Sequence, residues 1–279
     1  MNEIGTAPGP PPECRRCTMK LGFIGTGNMG GSILRGYVKA NGPEGVYGAD
    51  ANPDTLAKVV ADTGITPTDN KGVVDNCDTV LFAVKPIFFG KMFESIKDSV
   101  RKDQLFISIV ASTSIAELEE YLGKDARIVR VMPNTPAMVG EGMASLSPNA
   151  NATEEDVEKA KAIFNACGKC EVMEERLIPA VTALSGSSPA YVFMFIEALA
   201  DAGVQAGMFR EPAYKFAAQA VKGSAEMVLE TGLHPGILKD MVCSPGGITI
   251  EAVRILEQQG MRSAVFNAAL AVAGYDAQK

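Results

Sequence analysis

Gly25, Gly27 and Gly30 stand in G-x-G-x-x-G spacing directly after the apolar run 21–24, and a helical pattern opens at once behind them. Glycine at those three places serves a tight turn, a close backbone approach to a pyrophosphate, and tight packing of helix on strand. The N–H groups at the start of the helix then face an anion. The pattern reads as a dinucleotide cradle, with a ligand-free glycine turn as the alternative. A second loop, Ser244-Pro-Gly-Gly-Ile-Thr249, also precedes a helical pattern. Adjacent glycines there make a nest for a small carboxylate with the Thr249 hydroxyl beside it, or simply a helix cap. Leu184-Ser-Gly-Ser-Ser-Pro-Ala-Tyr191 places Ser188 as a cap and Pro189 at the first helical position.

What is missing narrows the chemistry further. The chain has one histidine, His234, so multi-histidine metal sites are excluded, and Ser-His-Asp or Cys-His machinery would have to rest on that one residue. Before Pro235-Gly236, His234 reads as a helix-entry residue. Six cysteines include two C-x-x-C pairs, Cys14/Cys17 and Cys167/Cys170, one in a proline-rich tail and one beside a strand pattern. A zinc site needs both pairs to converge; reduced thiols in a cytoplasmic protein are the expectation, with no metal.

The elements that must hold these residues alternate. Strand patterns at 21–24, 46–49, 79–84, 105–110 and 127–132 are separated by helical ones, including 29–39 and 54–62, the latter opened by Asn52-Pro53. Unbroken apolar strands with helical crossovers imply an α/β fold with a doubly wound parallel Rossmann sheet. Patterns at 142–146, 154–167 and 171–173 extend it. Beyond about Leu177 only helices read: 189–204, 212–230, 235–242, 249–258 and 262–273. The expected division is 1–18 as an appendage, native or left by cloning, 19–178 as the dinucleotide-binding domain, and 179–279 as an all-helical dimerisation and substrate domain. Residues 189–196 are apolar throughout, and a half of about one hundred residues cannot enclose such a helix. A second subunit is the simplest cover. With a net charge of −7, the 279-residue chain is a poor nucleic-acid partner, and no run of 18 apolar residues suggests a membrane span.

Five spaced motifs carry a resemblance. F-I-G-T-G-N-M-G, A-V-K-P at 83–86, M-P-N-T-P at 132–136, L-S-G-S-S-P-A-Y at 184–191 and L-K-D-M-V-C-S-P-G-G at 238–247 occur together and in order. In these the chain resembles pyrroline-5-carboxylate reductases from Met19 to near its C-terminus. The resemblance implies hydride transfer from NADPH, with NADH also accepted, to the cyclic imine 1-pyrroline-5-carboxylate, giving L-proline in a homodimer open to larger assembly. It implies that Ile24, Gly25, Thr26, Gly27, Asn28, Met29 and Gly30 wrap the pyrophosphate. Ala83, Val84, Lys85 and Pro86 would line the nicotinamide side, and Asn70 would touch the adenosine. Gly247 and Ile248 would hold the substrate carboxylate, and Thr249 the ring nitrogen. Glu175 and Thr182 match polar positions near that site, or are a surface charge and a helix hydroxyl. The family's Ala-Ala-Gly is read here as Ala111-Ser112-Thr113, and Ile248 stands where threonine or alanine is usual.

Some positions read two ways. Asp50 ends the second strand 20 residues after Gly30, where a carboxylate bonds a ribose 2′-OH and repels a 2′-phosphate. It also suits capping its own loop. Asn52 is available to a 2′-phosphate, with no arginine nearby. Lys85 is either a strand-end charge or a residue of the ligand edge. Rival functions are a β-hydroxyacid-type dehydrogenase, which requires a lysine absent from 177–209, and a non-catalytic NAD(P) sensor, which requires no carboxylate nest.

Overall fold

The computed structural model describes residues 19–274; the expected appendage 1–18, with Cys14 and Cys17, lies outside the described residues. Four-residue strands β1 (Leu21–Ile24), β2 (Val46–Ala49), β4 (Thr79–Phe82) and β5 (Leu105–Ser108) form the centre. β3 (Thr66–Pro67), β6 (Arg127–Met132), β7 (Gly142–Pro148) and β8 (Gly168–Val172) complete one sheet ordered β3-β2-β1-β4-β5-β6-β7-β8. Leu21 pairs in parallel with Val46 on one side and Thr79 on the other, and Thr79 pairs with Leu105. Every residue of β1, β4 and β5 is buried, as strands covered on both faces require.

Local chemistry sets the helices between them: α1 (Asn28–Asn41), α2 (Pro53–Thr63), α3 (Asn70–Asn76), α4 (Pro86–Glu94) and α5 (Ile115–Leu122). Asn52 Oδ1 accepts from the Asp54 and Thr55 amides, Pro53 fills the first turn, and Gly64 ends α2 in the left-handed region. Ser114 and Glu117 form a reciprocal capping box for α5. Above the sheet, Phe82 stacks on Phe106 with centroids 5.8 Å apart and meets Phe89 of α4 edge-on at 5.5 Å. Tyr121 of α5 closes on Phe89 at 5.2 Å, so aromatic contacts fix α4 over the carboxyl half of the sheet.

One strand departs from the parallel expectation. Asn149, just past β7, donates its amide to Ile128 O and accepts the Ile128 amide at Oδ1. The end of β7 therefore lies beside the start of β6, and β7 runs antiparallel to it. The nine residues between Met132 and Gly142 are too few for a parallel crossover. β8 returns to parallel pairing with β7 after α6 (Glu154–Asn165).

Among the described residues two compact units emerge: 19–129 together with Asn149–Asp156, and Arg130–Pro148 together with 157–274. The second contains β7, β8 and the helices α7 (Ile178–Val181), α8 (Ser188–Gln205), α9 (Arg210–Thr231), α10 (Pro235–Val242), α11 (Ile248–Gln258) and α12 (Met261–Val272). Helices α8 and α9 pack through Ala200, Ala213 and Ala217. Ser188 begins α8 rather than capping it: its hydroxyl donates back to Leu184 O at 2.6 Å. His234 does open α10, its Nδ1 accepting the Gly236 amide. The helical stretch Glu175–Gln205 is long and apolar enough to cross a membrane, yet only 11% of its most apolar window is buried within the protomer. Val192, Phe193, Met194, Phe195 and Leu199 are all exposed.

In the first unit, Asp156 is fully buried and accepts Arg127 Nη1 at both oxygens, 3.0 and 3.2 Å, while capping α6 through Thr153. Removing one partner of such a pair strands the other charge, at a cost of about 3–5 kcal/mol. Asp156→Ala is expected to lower the free energy of urea unfolding by roughly that amount. A loss below about 1 kcal/mol would mean the pair contributes no more than a surface bridge.

Candidate functional site

The three motif glycines have three different reasons to be glycine. Gly25 has φ +98°, and a Cβ there would lie 2.6 Å from Ala83 O. A Cβ on Gly30 would lie 2.2 Å from Gly25 O and 2.7 Å from Ala83 Cβ, so helix, loop and the end of β4 are in direct contact. Gly27 has nothing within 4 Å and is exposed at the mouth of the loop. It is also the N-cap residue of α1, without a side-chain cap and with no acidic residue in the first turn. That open face, presenting helix amides, is what a pyrophosphate requires.

Beside the loop lies a cavity of about 810 Å³ within the first unit. Ile24, Gly25, Gly27, Asp50, Asn52, Asn70, Ala83, Val84 and Lys85 line it, so nine residues singled out in the sequence converge. Thr26, Asn28, Met29, Gly30, Pro86 and Ala111 are not in the lining; Thr26 and Gly30 are buried behind the loop. Asp50 faces inward on its own loop as well: Oδ2 accepts the Thr26 amide at 2.7 Å and its hydroxyl at 3.2 Å, and Oδ1 accepts the Asn52 amide at 2.9 Å. A carboxylate has further lone pairs, so this bonding leaves room for a ribose hydroxyl. Asn70 donates to Ser95 Oγ at 3.3 Å across the far wall. Sequence reading missed Thr55 and the α4 face Phe88, Lys91, Met92 and Ser95, which with Ala51 complete the lining. Their i, i+3, i+4, i+7 spacing from Phe88 was the available signal.

The second unit carries the carboxylate-nest candidates. Gly246 has φ +68°, and the Gly247 amide donates to Ser244 O at 3.0 Å, closing the turn. The next amides, Ile248 and Thr249, open α11, where no preceding turn supplies acceptors. Ile248 is 91% exposed, so its bulk is accommodated without repacking the protomer. Among the described residues, nothing occupies the Thr249 hydroxyl. Glu175 is held by Arg130 at 2.7 Å, and the Thr182 hydroxyl donates to Ile178 O at 2.8 Å. Thr182–Gly186 forms a π-turn, with the Ser187 amide reaching Thr182 O. Asn134 of M-P-N-T-P braces it, donating to Ser185 O at 3.0 Å and accepting the Met143 amide. Such turns are enriched at functional sites.

Two further features bear on the sequence reading. Ser112, not Thr113, adopts the left-handed conformation, at φ 60°. By conformation the glycine-like position after β5 is therefore Ser112, which shifts the Ala-Ala-Gly correspondence by one residue. Burial pushes the Cys77 thiol up to about 12 and the Cys167 thiol up to about 11, so both are protonated at neutral pH.

Residues 175–278 match the family model for pyrroline-5-carboxylate reductase dimerisation, and residues 20–112 the model for NADP oxidoreductase, coenzyme F420-dependent. Pyrroline-5-carboxylate reductase of Escherichia coli (strain K12) is 51% identical over 252 residues, covering 89% of this chain and 94% of the relative. The solved pyrroline-5-carboxylate reductase of Coxiella burnetii superposes with a TM-score of 0.87 at 35% identity, covering 92% of this chain and 97% of that one. The Plasmodium falciparum pyrroline carboxylate reductase, solved with NADP bound, gives a TM-score of 0.81 at 36% identity, covering 92% and 96%.

Gly27 and Gly30 separate ligand approach from packing. Gly27→Ala adds a methyl to open space and is expected to leave the melting temperature within about 2 °C while weakening NADPH and NADH binding by about tenfold or more. Gly30→Ala drives a methyl into Gly25 O and is expected to lower both stability and binding. Thermal unfolding with fluorescence titration checks the pair; unchanged affinity in Gly27→Ala would remove the loop from the ligand site.

Proposed function

The chain belongs to the pyrroline-5-carboxylate reductase family, and we infer its residue roles from that premise together with the geometry above. It is an NAD(P)H-dependent oxidoreductase of proline biosynthesis, reducing 1-pyrroline-5-carboxylate to L-proline. Its substrate is a small molecule and it self-associates. The observation that carries the reading is the family match over both the glycine-loop region and the helical C-terminal region.

Bound in the cleft, the nicotinamide cofactor supplies the hydride. The cradle fits such a group: an open Gly27, uncapped α1 amides, and a lined cavity of about 810 Å³. The loop Ile24–Met29 would hold the pyrophosphate, with Gly30 packing α1 behind it; Ala83–Pro86 would line the nicotinamide side, with Ala111 behind the lining, and Asp50, Asn52 and Asn70 would meet the adenosine. A protonated cyclic imine is already electrophilic, so the protein has to position it and exclude water, which needs no imidazole. The amides of Ile248 and Thr249 hold the substrate carboxylate, with Gly247 shaping the turn. The Thr249 hydroxyl bonds the ring nitrogen and orients the C=N bond. Glu175 and Thr182 act at the edge of this site, Glu175 through its Arg130 pair.

The functional division is 19–178 for cofactor and 179–279 for substrate and assembly. In the compact units β7, α6 from Val157 onward, and β8 group instead with the helices. The assembly unit is a homodimer formed through α8, whose apolar side chains are exposed in the protomer. The four described cysteines are free thiols, which suits a cytoplasmic enzyme. NADPH is the preferred cofactor, with NADH accepted.

Thr249→Ala is expected to lower kcat by roughly one to two powers of ten, the worth of a lost hydrogen bond to a charged group, with little change in cofactor affinity. Steady-state assay at 340 nm with both substrates checks it, and full turnover would exclude the hydroxyl from the reaction. Phe193, 63% exposed on α8, is the probe of assembly. Phe193→Asp is expected to yield a monomer of low activity in sedimentation velocity, and an active, unchanged oligomer would move the interface elsewhere.

A further inference from the structure

A phosphate on the adenosine ribose needs a cation, and the sequence offers no arginine near Asp50-Ala51-Asn52-Pro53. The cavity supplies one from a different element. Its lining carries one carboxylate, Asp50, and two lysines, Lys85 and Lys91. Asp50 already has both oxygens bonded to the Thr26 and Asn52 amides. Lys85 caps α4 directly after Ala83 and Val84, the segment that touches Gly25, and so sits at the pyrophosphate end. Lys91 is six residues further along, about 9 Å by helical rise. It shares its face with Phe88 and Ser95, and Ser95 bonds Asn70 across the adenosine end of the cavity. Lys91 is exposed, and among the described residues it has no ion-pair or hydrogen-bond partner.

We propose that Lys91 is the specificity-determining cation of the cleft, its ammonium meeting the 2′-phosphate of NADPH above Asn52 and Thr55. The assignment rests on the dinucleotide occupying this cavity as described under the proposed function. It explains how a loop carrying Asp50 accepts a 2′-phosphate: the bonded carboxylate turns toward Thr26 and Asn52 while the countercharge arrives from α4. Lysine acts here as a mobile point charge, which favours the phosphate without the bidentate grip of arginine.

Binding of 2′,5′-ADP and 5′-AMP to the purified protein, followed by isothermal titration calorimetry, tests this apart from turnover. Lys91→Gln is expected to weaken 2′,5′-ADP about tenfold and 5′-AMP less than about twofold, with Lys91→Arg retaining the wild-type ratio. The kcat/KM for NADPH falls in parallel and that for NADH does not. Equal losses on both nucleotides would make Lys91 an adenosine contact and overturn the proposal, as would no loss on either. Wild-type protein that binds neither nucleotide would overturn the cleft assignment, and this proposal with it.

Discussion

The constraint on which the cavity depends is the contact of the β1–α1 turn with the end of β4. Positions 25 and 30 tolerate no Cβ because Ala83 and the Gly25 carbonyl occupy that space. This approach carries α1 down onto the sheet and brings Ala83–Lys85 beside the glycine loop. The cavity floor is made from the same two strand ends. Any residue that lifted α1 from the sheet would therefore disturb packing and ligand floor together. Gly27 lies outside that contact, which is why one motif contains both a packing demand and a ligand demand.

In each unit, polar groups serve the fold and the candidate site at once. Asn52 caps α2 with its side-chain oxygen while standing in the cavity wall. Asp50 braces the glycine loop through Thr26 and the following turn through Asn52. At position 247 the amide closes the turn onto Ser244, so the donors offered by that loop are those of the next two residues. Alternatives posed from sequence as capping or binding are thus not exclusive. A group already held by the backbone needs no reorganisation when a ligand arrives, which is the condition for preorganised recognition.

Much of the architecture was legible because its signals are local. β1, β2 and β6 fall where unbroken or alternating apolar runs put them, and Asn52-Pro53 and His234-Pro235 mark helix starts by cap chemistry. The seven-residue α3 and the two-residue β3 are too short to express a period. The reversal of β7 depends on the Asn149–Ile128 bonds, a long-range pairing that no local pattern encodes. In the site, the glycine motif was plain, whereas Thr55, Phe88, Lys91 and Ser95 are ordinary surface residues until α2 and α4 face each other. The π-turn at Thr182–Gly186 was hidden for the same reason, since its bracing Asn134 lies 51 residues away from Ser185.

The exposed apolar helix was also readable, but through what it lacks. Residues 189–196 have no polar face, and the protomer covers little beyond Ala200 on α8. Side chains such as Phe193 and Met194 left in water would favour association by roughly 25 cal/mol per Å² buried. The same stretch meets the length and composition of a membrane span. Two observations set the alternatives apart. Its match to a dimerisation family extends past α8 to residue 278, and α9, which packs against it, carries Lys215, Lys222, Glu211 and Glu226. A bilayer would have to accommodate those charges alongside the apolar face, whereas a second protein surface would cover α8 and leave them in water.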